Sequence, residues 1–119
     1  MVKRIAFTMY PVVDMARARK FYEGALGLVA TFESPDGGWV EYQPGGCFVL
    51  TSMAPVKPSS DSGGNIAFEV EDVSALTSAL KQKGIPVQLD VTETPAFHMS
   101  VVIDPEGNAV TLCQQKLPG

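Results

Sequence analysis

The chain has little of what usually makes chemistry visible in a sequence: one histidine, His98, one tryptophan, Trp39, and two cysteines, Cys47 and Cys113. The cysteines form no Cys-x-x-Cys pair and each sits in a strand-like apolar stretch, which predicts reduced, buried thiols in a cytoplasmic protein. No apolar run approaches a membrane span, and "MVKRIAFTMYPVVD" reaches a charged helix start at Asp14 too soon for a signal peptide, so no membrane partner is expected. Positive charge is also sparse. Nine Lys and Arg face thirteen Asp and Glu, for a net charge of -4, and apart from Arg17, Arg19 and Lys20 the basic residues are scattered. Phosphate backbones need a basic stripe, so nucleic acid is not an expected partner.

What is present is an ordinary globular composition, 45% hydrophobic and 18% charged over 119 residues, enough for one domain with a real core. Residues 4 to 13, "RIAFTMYPVV", are rich in β-branched and aromatic types and predict a strand with Pro11 at its edge or end. Asp14 is placed to cap a helix over Met15 to Leu26, where Ala18, Phe21, Tyr22, Ala25 and Leu26 recur at helical spacing and Gly27 punctuates the end. "LVATFES", "WVEYQ" and "CFVLTSM" then read as three strands, parted by "PDGG" and "PGG" turns.

"APVKPSSDSGG", Ala54 to Gly64, carries no periodic apolar face and reads as a linker between a first module, about residues 1–54, and a second, about 65–119. After it "NIAFEV" predicts a strand, Asp72 or Ser74 a helix cap, and Lys83-Gly84 a helix stop. "IPVQLDV", "FHMSVVI" and "AVTLCQQ" follow as strands. Both halves therefore read β, α, β, β, β. "IAF" opens each of them, at Ile5 and at Ile66, and an Asp leads into each helix, which predicts an internal repeat.

With "PVVDMARARKFYEGALGL", "IAFEVEDV" and "DPEGN" in this order, the chain resembles the vicinal oxygen chelate superfamily of glyoxalases, bleomycin-resistance proteins and extradiol dioxygenases. The resemblance implies an α+β fold: two tandem βαβββ modules forming a curved, half-open eight-stranded sheet, with helices on the convex side and the ligand on the concave side. Metal-dependent members hold a divalent ion through His, Gln or Glu side chains. Carried over on Asp14, Asp72 and the Asp-Pro-x-Gly-Asn turn, those ligand positions fall at Phe7, at Asn65, within Val49 to Thr51, and at Thr111. None of these is the expected ligand type, so neither a metal nor another cofactor is expected.

If Asp104 pairs with Asn108 around Gly107, Val101 stands opposite Thr111, and His98 takes the other face of its strand. A bulge would reverse this, which leaves His98 either a ligand or general base, or a strand-end histidine. On the third strand Trp39 and Glu41 alternate with Val40 and Tyr42; the first pair is expected in the cavity and Tyr42 in the core. Glu41 suits a general base or a hydrogen bond to a cationic ligand. The expected ligand-binding set is thus Phe7, Trp39, Glu41, Asn65, Val101 and Thr111. Two functions follow: a metal-free module that binds a small, partly apolar molecule, or a lyase, isomerase or dioxygenase of the glyoxalase type, with metal ligands in another register or with metal-free acid and base chemistry on Glu41 and His98. Open sheet edges predict a homodimer, unless Pro11, Pro44 and Pro86 protect them.

Overall fold

The computed structural model describes residues 1–116 other than 2, 4, 44 and 55. Pro44, one of the three edge-guarding prolines, and Arg4, at the start of the expected first strand, lie outside the described residues. The chain divides into two compact units, Met1–Pro58 and Ser59–Gly119. Each contains one βαβββ module, and among the described residues the eight strands are hydrogen-bonded as two four-stranded sheets. Among the described residues no helix is long and apolar enough to cross a membrane.

Module one runs β1 (Thr8–Pro11), α1 (Met15–Arg19), β2 (Ala30–Glu33), β3 (Trp39–Tyr42) and β4 (Phe48–Thr51), with sheet order β1-β4-β3-β2. The β1–β4 pair is parallel and the others antiparallel. The first strand is shorter than residues 4 to 13 because its neighbour β4 is short. Pairing starts with Thr8 N–H on the Cys47 carbonyl and closes with Val12 N–H on that of Thr51.

Asp14 caps α1, its carboxylate accepting from Arg17 N–H at 3.1 Å. The helix expected to run to Leu26 widens after Arg19 into a π-helical turn, Lys20–Ala25, in which Leu26 N–H reaches back five residues to the Phe21 carbonyl. This turn buries Phe21 and Tyr22 against the sheet, and Gly27 then ends the helix at φ 76°, where a side chain would be strained. Phe48 is the hub of the core, with the rings of Tyr10, Tyr22 and Tyr42 at 5.4, 5.2 and 6.2 Å.

Module two runs β5 (Ile66–Glu69), α2 (Val73–Gln82), β6 (Val87–Glu93), β7 (Phe97–Ile103) and β8 (Ala109–Gln115), with order β5-β8-β7-β6. Asp72, not Ser74, caps α2, accepting from Ala75 N–H at 3.0 Å. Gly84, at φ 83°, stops it. The β7–β8 turn is built on Asp104, which is 2% exposed. Its carboxylate accepts from the backbone N–H groups of Glu106 and Asn108 and from the Asn108 side-chain amide. Gly107 supplies the positive φ of 93° that the turn needs. Asn108 in turn accepts from Ser59 N–H and ties the preceding segment to the turn.

The repeat holds, with one correction. Val70 N–H bonds to the Cys113 carbonyl as Val12 N–H does to that of Thr51, and each strand starts six residues before its capping Asp. Thr8 is therefore the counterpart of Ile66. The two "IAF" triplets are not equivalent, since Ile5 to Phe7 precede β1 whereas Ile66 to Phe68 form β5. Distance to the helix cap, not local likeness among common β-residues, sets the correspondence.

Candidate functional site

Each sheet carries its helix on one face, and alternation along the strands decides which residues stand on the other. In module one Tyr42 turns to the helix: it is fully buried, and its hydroxyl donates to Glu23 at 2.7 Å. Glu23 also accepts from Arg19 at 2.6 Å, and Arg19 reaches Glu33 at 3.2 Å. Burial, then the Glu23 carboxylate, pushes the Tyr42 phenol well above its ordinary range. Burial also opposes charge on Glu23, but the hydrogen bonds from Arg19 and Tyr42 outweigh it and hold this carboxyl below its ordinary value. This part-buried network is a fastening between helix and sheet, and its donors are already committed.

Trp39 and Glu41 are on the opposite face and half-buried, as the alternation predicts. The indole Nε1–H donates to Glu41 Oε2 at 2.8 Å, and the Trp39 ring meets Phe7 edge-on, centroids 5.4 Å apart and planes at 82°. The Cys47 thiol lies 4.0 Å from Glu41 Oε1, a contact that sequence reasoning missed although Cys47 is two residues before Val49, the partner of Glu41. Three of the six expected site residues, Phe7, Trp39 and Glu41, are thus one connected group.

The other three form a second group in module two. Val101 pairs with Thr111, as the turn geometry predicts, and both are buried. The Thr111 hydroxyl donates to the Asn65 side-chain carbonyl at 3.3 Å. Ser100, one residue along, faces α2 through its hydroxyl contact with Thr77 at 2.8 Å, so Thr111 is on the face away from the helix. His98 has the parity of Ser100 and lies opposite Gln114 and Glu93, away from Thr111. Cys113 shares the Thr111 face, but burial, then the Glu69 carboxylate, pushes its thiol up, which keeps it protonated and a poor nucleophile. A shallow cleft of about 490 Å³ in this module is lined by Glu69, Val70, Glu71, Gln114 and Gln115, none of which the sequence singles out.

Residues 4–112 match the Glyoxalase/Bleomycin resistance protein/Dioxygenase superfamily. The chain belongs to this superfamily. Among solved structures it is similar to TnmS3, an antibiotic binding protein from Streptomyces sp. CB03234, at 25% identity and TM-score 0.78, over 97% of this chain and 98% of that one. A glyoxalase/bleomycin resistance protein from the same organism shares 26% identity with TM-score 0.73, over 92% and 98% of the two chains. Glyoxalase I of Leishmania major shares 26% with TM-score 0.69, over 95% and 87%. No curated protein matches the sequence.

Within the glyoxalase/bleomycin-resistance superfamily the resemblance implies a divalent metal, and the side chains at its ligand positions test whether one fits. Superposing the hydrogen-bond registers makes Val49, not its neighbours, the counterpart of Thr111, because Met9 pairs with Val49 as Ala67 does with Thr111. The four positions then offer a phenyl ring, an isopropyl group, a carboxamide and a hydroxyl. Among the described residues no three His, Cys, Asp or Glu side chains converge in a way that could hold a metal ion. A phenyl ring and an isopropyl group cannot ligate, and one carboxamide with one hydroxyl falls short of the three or four converging donors such a site needs, so this donor set does not fit the divalent ion.

Proposed function

We propose that this member of the glyoxalase/bleomycin-resistance superfamily binds a small, partly apolar molecule without a divalent ion, and holds it rather than transforming it. The observation that carries this reading is the connected group of Phe7, Trp39 and Glu41: two rings at right angles beside a carboxylate, on the sheet face away from the helix. Aromatic walls with a few placed polar atoms are what small-molecule sites are made of. In module two the same reading assigns ligand contact to Asn65, Val101 and Thr111. Similarity to an antibiotic binding protein supports it, and so does the misfit of the metal-ligand positions.

Trp39 is the chain's only tryptophan, so its emission reports on the proposed face directly. Titration with a panel of flat aromatic antibiotics is expected to change that emission saturably, and Trp39→Phe to abolish the response. The competing reading is catalysis. Turnover of methylglyoxal-thiol adducts or catechols above the buffer rate, with or without Ni, Zn, Mn or Fe, would replace the binding reading with that of a lyase, isomerase or dioxygenase.

We also propose a cytoplasmic homodimer. Strands β1, β2, β5 and β6 end their sheets and leave ladder groups to be covered. Sedimentation equilibrium at low micromolar concentration should give the dimer mass; a single species at monomer mass rejects the dimer.

A further inference from the structure

We infer that the ligand of the module-one face is an organic cation, a protonated or quaternary amine carried on a flat apolar body. This rests on the binding reading above and names its ligand class. The first ground is the aromatic corner. Phe7 and Trp39 meet at 82° with centroids 5.4 Å apart, so their ring faces are not stacked on each other. A ring face is the negative end of an aromatic quadrupole, and indole is the strongest of the three aromatic side chains in attracting a cation.

The second ground is the charge state of the face. By strand register its side chains include Met9, Phe32, Trp39, Val49 and Thr51, and Glu41 is the only ionisable group that the four strands of module one direct there. Its carboxylate is held by two neutral donors, the indole N–H at 2.8 Å and the Cys47 thiol at 4.0 Å. The ion pairs formed elsewhere join other groups: Arg19 to Glu23 and Glu33, Lys81 to Asp90, Lys116 to Glu93. Among the described residues Glu41 has no ion-pair partner. A half-buried carboxylate set among aromatic and aliphatic side chains is poorly compensated, and a ligand ammonium beside it supplies the missing charge.

The third ground is geometry. The indole N–H bond to Glu41 fixes the ring and the carboxylate to each other, so one cation within reach of both gains from the ring quadrupole and the anion at once. An anionic ligand would meet only repulsion, and the net charge of -4 biases encounter the same way.

The test is a matched pair of probes, N-methylquinolinium chloride and quinoline at neutral pH, where quinoline is uncharged. Calorimetry gives the affinities, and the single Trp39 indole N–H resonance reports the place of binding. N-methylquinolinium is expected to bind about tenfold more tightly, equivalent to about 1.4 kcal/mol, with a gap that narrows as salt is added. In Glu41→Gln the cation should lose that advantage. Equal binding of both probes overturns the cation inference and leaves the binding reading standing. A Trp39 signal unmoved by either probe, but shifted by a neutral member of the antibiotic panel, does the same. No response to any compound overturns the binding reading itself. The comparison in the unmodified protein holds whether or not the variant folds.

Discussion

Trp39 and Glu41 stand two residues apart on β3, and the indole N–H of the first donates to the carboxylate of the second at 2.8 Å. Residues at this spacing share a face of a strand, so the bond runs along the sheet surface and needs no distant element to form it. Replacing the carboxylate by an apolar group of similar size leaves the half-buried indole N–H without its acceptor. Glu41→Leu should therefore cost about 1 kcal/mol, while Glu41→Gln, which keeps an acceptor, should cost less than half of that. Urea unfolding followed by Trp39 emission measures both, and equal stability of the two variants would count against the bond.

The Tyr42 hydroxyl is fully buried and donates to a charged acceptor, Glu23, at 2.7 Å. Tyr42→Phe removes this bond without opening a cavity, and the expected loss is about 1–2 kcal/mol. An unchanged midpoint in denaturant would show that the network adds nothing to stability.

Glu23 adds a pH dependence to the same network. Its folded carboxyl titrates below its ordinary value of 4.5, so its contribution is complete above about pH 4.5 and is lost as pH falls through the folded value. The stability gap between the unmodified protein and Glu23→Gln should accordingly be larger at neutral pH than at about pH 3. Denaturant curves at the two pH values check this, and a gap independent of pH would remove the carboxylate from the account.

Asp104 accepts at least three hydrogen bonds while buried, so Asp104→Ala takes an acceptor from two backbone donors and one side-chain donor in the β7–β8 turn. The expected loss is on the order of 3 kcal/mol, among the larger effects a single substitution produces. Thermal unfolding by circular dichroism reads it directly. A loss under about 1 kcal/mol would mean that water replaces the carboxylate at this turn.

Thr111, on β8, touches Asn65, the residue before β5, at two of the positions where the superfamily resemblance places metal ligands. Micromolar Ni or Zn should leave the melting temperature of the unmodified protein unchanged. Asn65→His with Thr111→Glu places an imidazole and a buried carboxylate there, which should lower stability in chelator and restore it with added metal. Differential scanning fluorimetry distinguishes the outcomes. A shift of several degrees in the unmodified protein would reverse the reading of its donor set.

The order of elements, the Asp14 cap and the β7–β8 register were legible in the sequence, and the second cap was narrowed to Asp72 or Ser74, because each rests on contacts made within a few residues. Asp14 and Asp72 bond to backbone three residues on, and Asp104, Gly107 and Asn108 close a five-residue turn that sets Val101 opposite Thr111. Strand alternation likewise separated Trp39 and Glu41 from Tyr42. What the tertiary structure decided depends on residues far apart in the chain. The parallel pairing of β1 with β4 fixed the true start of the repeat at Thr8 and chose Val49 as the counterpart of Thr111. Packing of Phe21 and Tyr22 accompanies a π-turn where periodicity predicts a continuous α-helix. The approach of Phe7 to Trp39, and of Tyr42 to Glu23 across nineteen residues, follows from how strands and helix pack, which no local pattern encodes.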